Sequence, residues 1–160
     1  LDDQQMYHLY EKFILEYYKK EYPYITTNAS KIKWQLDDGM DYMLPNLLSD
    51  ITLEYDNKVL IIDAKYYSHI MQNRYEKETI RSANMFQIFT YVKNKEAELK
   101  DKPHEVAGML LYAQTDNGTQ PEYRYQMSGN MISVKTLNLN CDFEDIRRQL
   151  DSIITDYFKL

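Results

Sequence analysis

Between residues 5 and 21 the apolar side chains recur as Met6, Tyr10, Phe13, Ile14 and Tyr17, the i, i+3/i+4, i+7 stripe of an amphipathic helix, and Pro23 stops it. Residues 31 to 36 alternate instead, with Ile32, Trp34 and Leu36 on one side and Lys31, Lys33 and Gln35 on the other. That pattern predicts a half-buried strand, which Asp37-Asp38-Gly39 breaks. Two more strands are expected at 50 to 55 and 58 to 65, joined by the tight turn Asp56-Asn57. The second holds Val59-Leu60-Ile61-Ile62 without alternation, so it is expected at the centre of a sheet, buried on both faces. A helical period returns from 76 to 99, with Met85, Ile88, Phe89 and Val92 on one face, and Pro103 closes it. Strands follow at 106 to 112, 123 to 127 and 131 to 137. Phe143, Ile146, Leu150, Ile153, Ile154 and Tyr157 then mark a last helix, with Asn140 or Asp142 placed to cap its first turn. Helix, strands, long helix, strands, helix is the order of an α/β fold, a central sheet flanked by helices. No repeat, low-complexity tract or linker interrupts it, so residues 1 to 160 are read as one domain.

Composition narrows the class. Hydrophobic residues are 44%, the globular norm. The longest uncharged apolar run is Val106 to Ala113, far short of the roughly 18 residues of a spanning helix, and no signal segment opens the chain, so a soluble protein without a membrane partner is expected. A single cysteine, Cys141, excludes an internal disulfide and a multi-cysteine metal cluster and suits a reducing compartment. Leu1 is not an initiator residue, and the first helical pattern begins within a few positions of it. The chain is therefore expected to be a piece of a longer one, its upstream part missing. The net charge of −6 speaks against a uniformly basic nucleic-acid surface. Yet nine basic and six acidic residues lie between Lys58 and Lys102, so that stretch is +3 and the remainder −9.

The chemistry is concentrated around the strand pair at 50 to 65. Asp50 opens one strand and Asp63 nearly closes the next, so antiparallel pairing about Asp56-Asn57 brings both to one end of the sheet. Two carboxylates at that separation repel unless a hard cation sits between them, and oxygen-only ligation with room for water favours Mg²⁺, with Mn²⁺ as substitute. Asp63 and Lys65 stand at i, i+2 and project from one face, which delivers an ammonium to that site. Taken as a bare Asp-x-Lys, a common tripeptide, the same residues read instead as an ion pair at a strand end, with Asp50 merely terminating a turn.

The segments Leu44-Pro45-Asn46-Leu47-Leu48-Ser49-Asp50 and Ile61-Ile62-Asp63-Ala64-Lys65-Tyr66-Tyr67 resemble the PD-(D/E)XK nuclease superfamily, with its restriction-endonuclease-like fold. With Tyr10-Glu11-Lys12-Phe13 and Gly108-Met109-Leu110-Leu111-Tyr112 added, the chain looks most like the McrC family, nuclease subunits of modification-dependent restriction systems that work with McrB, a GTP-hydrolysing AAA+ motor. The resemblance covers roughly Tyr10 to Tyr112. It implies a cytoplasmic, prokaryotic Mg²⁺-dependent DNA endonuclease in which Asp50 and Asp63 bind metal, the Ala64 carbonyl adds a ligand, Lys65 is the catalytic lysine and Glu11 is the helix-borne glutamate near the metal. Gln87 and Tyr91 match a Gln-x-x-x-Tyr element shared with RecB-like nucleases; at i, i+4 they share a helix face, for contact with DNA phosphates or for bracing Lys65. Tyr66, with Tyr67, is placed to line a nucleic-acid channel, and Arg81 lies in the positive stretch. A RecB-like exonuclease or repair nuclease, and a non-catalytic scaffold that binds DNA or a motor, are the rival readings.

Other chemistries find little support. His8, His69 and His104 are scattered, which disfavours zinc. Four glycines form no phosphate loop, so GTP is not expected to bind here. Ser49 lacks the turn of a hydrolase nucleophile, and Cys141 has no assigned base.

Overall fold

The structure, a computed structural model, describes residues 2–160. Its elements run α1 (Asp3–Glu21), β1 (Thr26–Asn28), β2 (Lys31–Ile32), β3 (Leu47–Leu48), β4 (Ile51–Tyr55), β5 (Lys58–Lys65), β6 (Gln72–Arg74), β7 (Lys77–Thr79), α2 (Ser82–Glu98), β8 (Glu105–Ala113), β9 (Tyr123–Met127), β10 (Asn130–Leu137) and α3 (Phe143–Phe158). Six strands form one mixed sheet in the order β1-β4-β5-β8-β10-β9. β5 and β10 run parallel to β8, and the remaining neighbours pair antiparallel. This is an α/β architecture compatible with the restriction-endonuclease-like fold expected from the sequence. No helix among the described residues is long and apolar enough to cross a membrane.

Alternation along the central strands divides the core in two. Leu60, Ile62 and Ala64 of β5, with Ala107, Met109 and Leu111 of β8, face α1 and α3. Val59 and Ile61, with Val106, Leu110 and Tyr112, face α2. Glycine matters at one place in this packing. A Cβ on Gly108 would lie 2.6 Å from Val92 Cγ2 and 2.8 Å from Ile88 Cγ1, so its absence lets α2 settle against β8. On the opposite face, tyrosine hydroxyls tie the helices together: Tyr17 and Tyr22 donate to Asp151 Oδ1 at 2.6 and 2.8 Å, and Tyr18 donates to the Leu150 carbonyl at 2.8 Å.

Three segments depart from the sequence reading. The strand expected at 31 to 36 ends at Ile32, because beyond it side chains take the place of a ladder: the Gln35 N–H donates to Asn94 Oδ1 at 2.9 Å, and the Trp34 indole to the Pro45 carbonyl at 2.7 Å. β1 and β3, not expected from the sequence, flank this segment. The helix expected from residue 76 begins at Ser82. Residues 72 to 79 form the β6–β7 hairpin instead, turning at Tyr75 and Glu76, both left-handed with φ of 51° and 60°. The Gln72 side chain supplies the cap that α2 lacks, accepting from the Ser82 N–H at 3.3 Å and donating to Ser82 Oγ at 3.0 Å. At α3 the cap is Asp142, whose carboxylate accepts from the Asp145 N–H at 3.0 Å.

Candidate active site

The β4–β5 hairpin turns at Asp56 and Asn57 with φ of 49° and 63°, the two left-handed residues that a tight hairpin of matching twist requires. Its register pairs Tyr55 with Lys58 and Ile51 with Ile62, so one further step sets Asp50 beside Asp63. The approach to Asp50 is fixed locally. The Ser49 N–H donates to the Ser30 carbonyl at 3.0 Å, and the Ser49 and Thr52 hydroxyls lie 2.7 Å apart. Asp50 Oδ2 then accepts the Ala64 N–H at 2.9 Å, which joins the two strand ends.

Asp63 is 1% exposed, and its Oδ2 is buried without a hydrogen-bond partner. An ionised oxygen left so costs several kcal/mol, in order of magnitude, unless something cationic or protic reaches it. Lys65 Nζ approaches to 4.0 Å only, too far for a hydrogen bond. The ammonium is directed elsewhere, donating to Gln87 Oε1 at 2.7 Å. Gln87 in turn donates to the Tyr91 hydroxyl at 2.9 Å, and that hydroxyl donates to the Leu48 carbonyl at 3.0 Å. The chain of bonds fixes the amide so that its oxygen faces Lys65. The simple ion pair that a bare Asp-x-Lys allows is therefore a loose contact here, and Gln87 with Tyr91 braces the lysine.

The electrostatics follow from burial and crowding. Burial first, then the charge of Asp63 and the carboxylate of Glu11, push Asp50 well above the usual carboxylate range, with the Ala64 N–H opposing them. Burial also raises Asp63, against the pull of Lys65. Glu11, half-buried and in contact with His8 Nδ1 at 3.2 Å, thus stands close enough for its charge to bear on both aspartates. Among the described residues no three His, Cys, Asp or Glu side chains close into a ready-made metal cluster. Two crowded carboxylates, one of them with an oxygen that has no partner, make a hard-oxygen donor set of the kind that suits Mg²⁺ or Mn²⁺ with several waters retained.

The remaining sequence candidates are spread around this end. Tyr66 packs on Tyr10 at 6.1 Å between ring centroids, toward α1. Tyr67 lies on the α2 side and donates to Asn84 Oδ1 at 3.2 Å, and Asn84 donates to the Tyr112 hydroxyl at 2.8 Å. Arg81 stacks over the Tyr67 ring at 4.2 Å and donates to the carbonyls of Ile70 and His69 at 3.0 and 2.6 Å. It holds the loop after β5. Sequence reasoning missed Tyr7, whose hydroxyl donates to Asp50 Oδ2 at 3.4 Å. Its position four residues before Glu11, on the same helix face, is the one signal that points to it. A cavity of about 350 Å³ lies elsewhere, against Leu60, Met109, Met131, Ile153 and Tyr157, and holds none of the crowded carboxylates.

The chain is 31% identical over 161 residues to the type IV methyl-directed restriction enzyme EcoKMcrBC of Escherichia coli (strain K12), an alignment that takes in 99% of this chain and 45% of that protein. It thus spans less than half the length of that relative. No family model matches the chain. The likeness runs the whole length of the chain and supports the McrC-like restriction family to which the motifs point.

Proposed function

We propose that the chain is the DNA-cleaving domain of a McrBC-like, modification-dependent restriction system, an Mg²⁺-dependent endonuclease supplied with DNA by a GTP-hydrolysing McrB-like motor. The observation that carries this reading is the buried Asp50 and Asp63 pair, with the Asp63 oxygen unsatisfied beside Lys65. Likeness to a methyl-directed restriction enzyme supports duplex DNA with modified bases as the substrate class.

Asp50, Asp63 and the Ala64 carbonyl would hold Mg²⁺, with Glu11 close enough to bind one of its waters. The bound ion would polarise the phosphate and lower the pKa of a water. Lys65, whose ammonium is bonded to Gln87 and stands 4.0 Å from Asp63 Oδ2, stabilises the charge that builds on the phosphoryl oxygens as water adds to phosphorus. One P–O ester bond breaks; one strand end keeps the phosphate, and the departing oxygen takes a proton and leaves as a hydroxyl. The overall charge of −6 gives little long-range attraction to DNA at physiological salt, which supports delivery by a partner.

The test is cleavage of methylated duplex by the chain with its motor, GTP and Mg²⁺, compared across wild type, Asp50→Asn and Asp63→Asn. Loss of cleavage in both variants with retained folding is expected. Full Mg²⁺-dependent cleavage by both variants would overturn the reading.

A further inference from the structure

Asp50 is held by two hydrogen bonds among the described residues, and both fall on Oδ2: the Ala64 N–H at 2.9 Å and the Tyr7 hydroxyl at 3.4 Å. The two donors come from different parts of the fold. Ala64 belongs to β5, whereas Tyr7 belongs to α1 and lies 43 residues from Asp50 in the chain. One turn further along α1 stands Glu11, so a single helix brings both a donor and a carboxylate to the strand end. We propose that Tyr7 is a positioning residue for the metal ligand Asp50: its hydroxyl and the Ala64 N–H fix the carboxylate orientation in which Asp50 meets the cation.

The inference rests on the metal reading above and concerns a residue that the reading does not use. Outer hydrogen bonds of this kind set ligand orientation and are typically worth 10 to 100-fold in metal affinity. At 3.4 Å the contact is looser than the roughly 2.7 to 2.8 Å usual for O–H···O. An ionised Asp50 carboxylate would be a stronger acceptor for this hydroxyl than a protonated one. A phenylalanine preserves the ring, which stands edge-on to His8 at 5.9 Å, and removes only the donor.

The experiment is Mn²⁺ binding by calorimetry to the wild-type chain, Tyr7→Phe and Asp50→Asn, with metal-free thermal unfolding of each. Wild type is expected to bind Mn²⁺, Asp50→Asn to lose binding, and Tyr7→Phe to bind about 10-fold more weakly with an unchanged metal-free unfolding midpoint. A merely structural tyrosine would shift the midpoint and leave affinity alone. Equal Mn²⁺ affinity in wild type and Tyr7→Phe overturns the role of Tyr7 while the metal reading stands. A wild-type chain that takes up no Mn²⁺ overturns both.

Discussion

Asp50→Asn is expected to stabilise the metal-free chain and to remove its response to a divalent ion. The wild-type carboxylate is part-buried, opposes Asp63 and Glu11, and keeps one strong compensating donor, the Ala64 N–H. An asparagine oxygen can still accept that N–H, so the substitution deletes the charge and spares the bond. A one-unit rise in pKa corresponds to about 1.4 kcal/mol. After allowance for partial exposure and for the repulsion that Asp63 shares, about 1 to 3 kcal/mol should be gained near pH 7.5. For a domain of this size each kcal/mol moves the midpoint by about 2 to 4 °C, so a rise of roughly 2 to 12 °C is expected.

The assay is thermal unfolding followed by circular dichroism in EDTA from pH 4.5 to 8.5. A carboxyl whose pKa is raised by folding binds its proton more tightly in the folded chain than in the unfolded one. Wild-type stability is therefore fullest below the unfolded value of about 4 and falls as pH rises through the raised values of Asp50 and Asp63. Asp50→Asn lacks its share of that fall, so the two curves should converge at the acid end and separate above it. With Mn²⁺ at about 100 times its Kd the wild type should gain about 2.7 kcal/mol, and the variant nothing. An asparagine variant less stable than wild type in EDTA at pH 7.5, or equally stabilised by Mn²⁺, would refute the reasoning.

Lys65→Ala should leave Mn²⁺ binding intact and lower the single-turnover cleavage rate by roughly 10²- to 10³-fold, the usual cost of removing one transition-state donor; a loss of binding as large as that of Asp63→Asn would show that Lys65 serves the ion. Gln87→Leu should cost about 1 to 3 kcal/mol of stability in urea unfolding, because a nearly buried ammonium loses its 2.7 Å acceptor; an unchanged midpoint would show that the bond is idle. Gly108→Ala should destabilise by about 1 to 3 kcal/mol through collision with Ile88 and Val92, read in the same assay. Arg74→Ala with Lys77→Ala, both exposed on the β6–β7 hairpin, should flatten the salt dependence of DNA binding by about 0.9 for each phosphate no longer neutralised, more than Lys19→Ala with Lys20→Ala on α1.

How much of this was legible in the sequence depends on the range of the force that decides each feature. The β4–β5 hairpin and the meeting of Asp50 with Asp63 follow from local rules: two turn residues that accept positive φ, a strand whose Val59 to Ile62 run does not alternate, and a period of two that assigns Asp63 and Lys65 to one face. Gln87 and Tyr91 were picked out by the family resemblance, and the helical period then puts them on one face. The β6–β7 hairpin escaped because Glu76, Lys77 and Glu78 have the charge pattern of a helix surface, while the turn at Tyr75 and Glu76 is made by residues without the usual glycine or asparagine signal. Arg81 was legible as a cation, but its engagement by the His69 and Ile70 carbonyls was not, and that engagement is the reason the DNA-binding prediction rests on Arg74 and Lys77. Tyr7 lay furthest from view. Within residues 3 to 21 only its i, i+4 relation to Glu11 sets it apart from the other tyrosines on α1, and that relation gains meaning only from the approach of the helix to a strand end far along the chain. Local pattern thus locates the charged groups, and tertiary packing decides which neighbours orient them. The orienting groups are accordingly where substitution should separate metal affinity from stability.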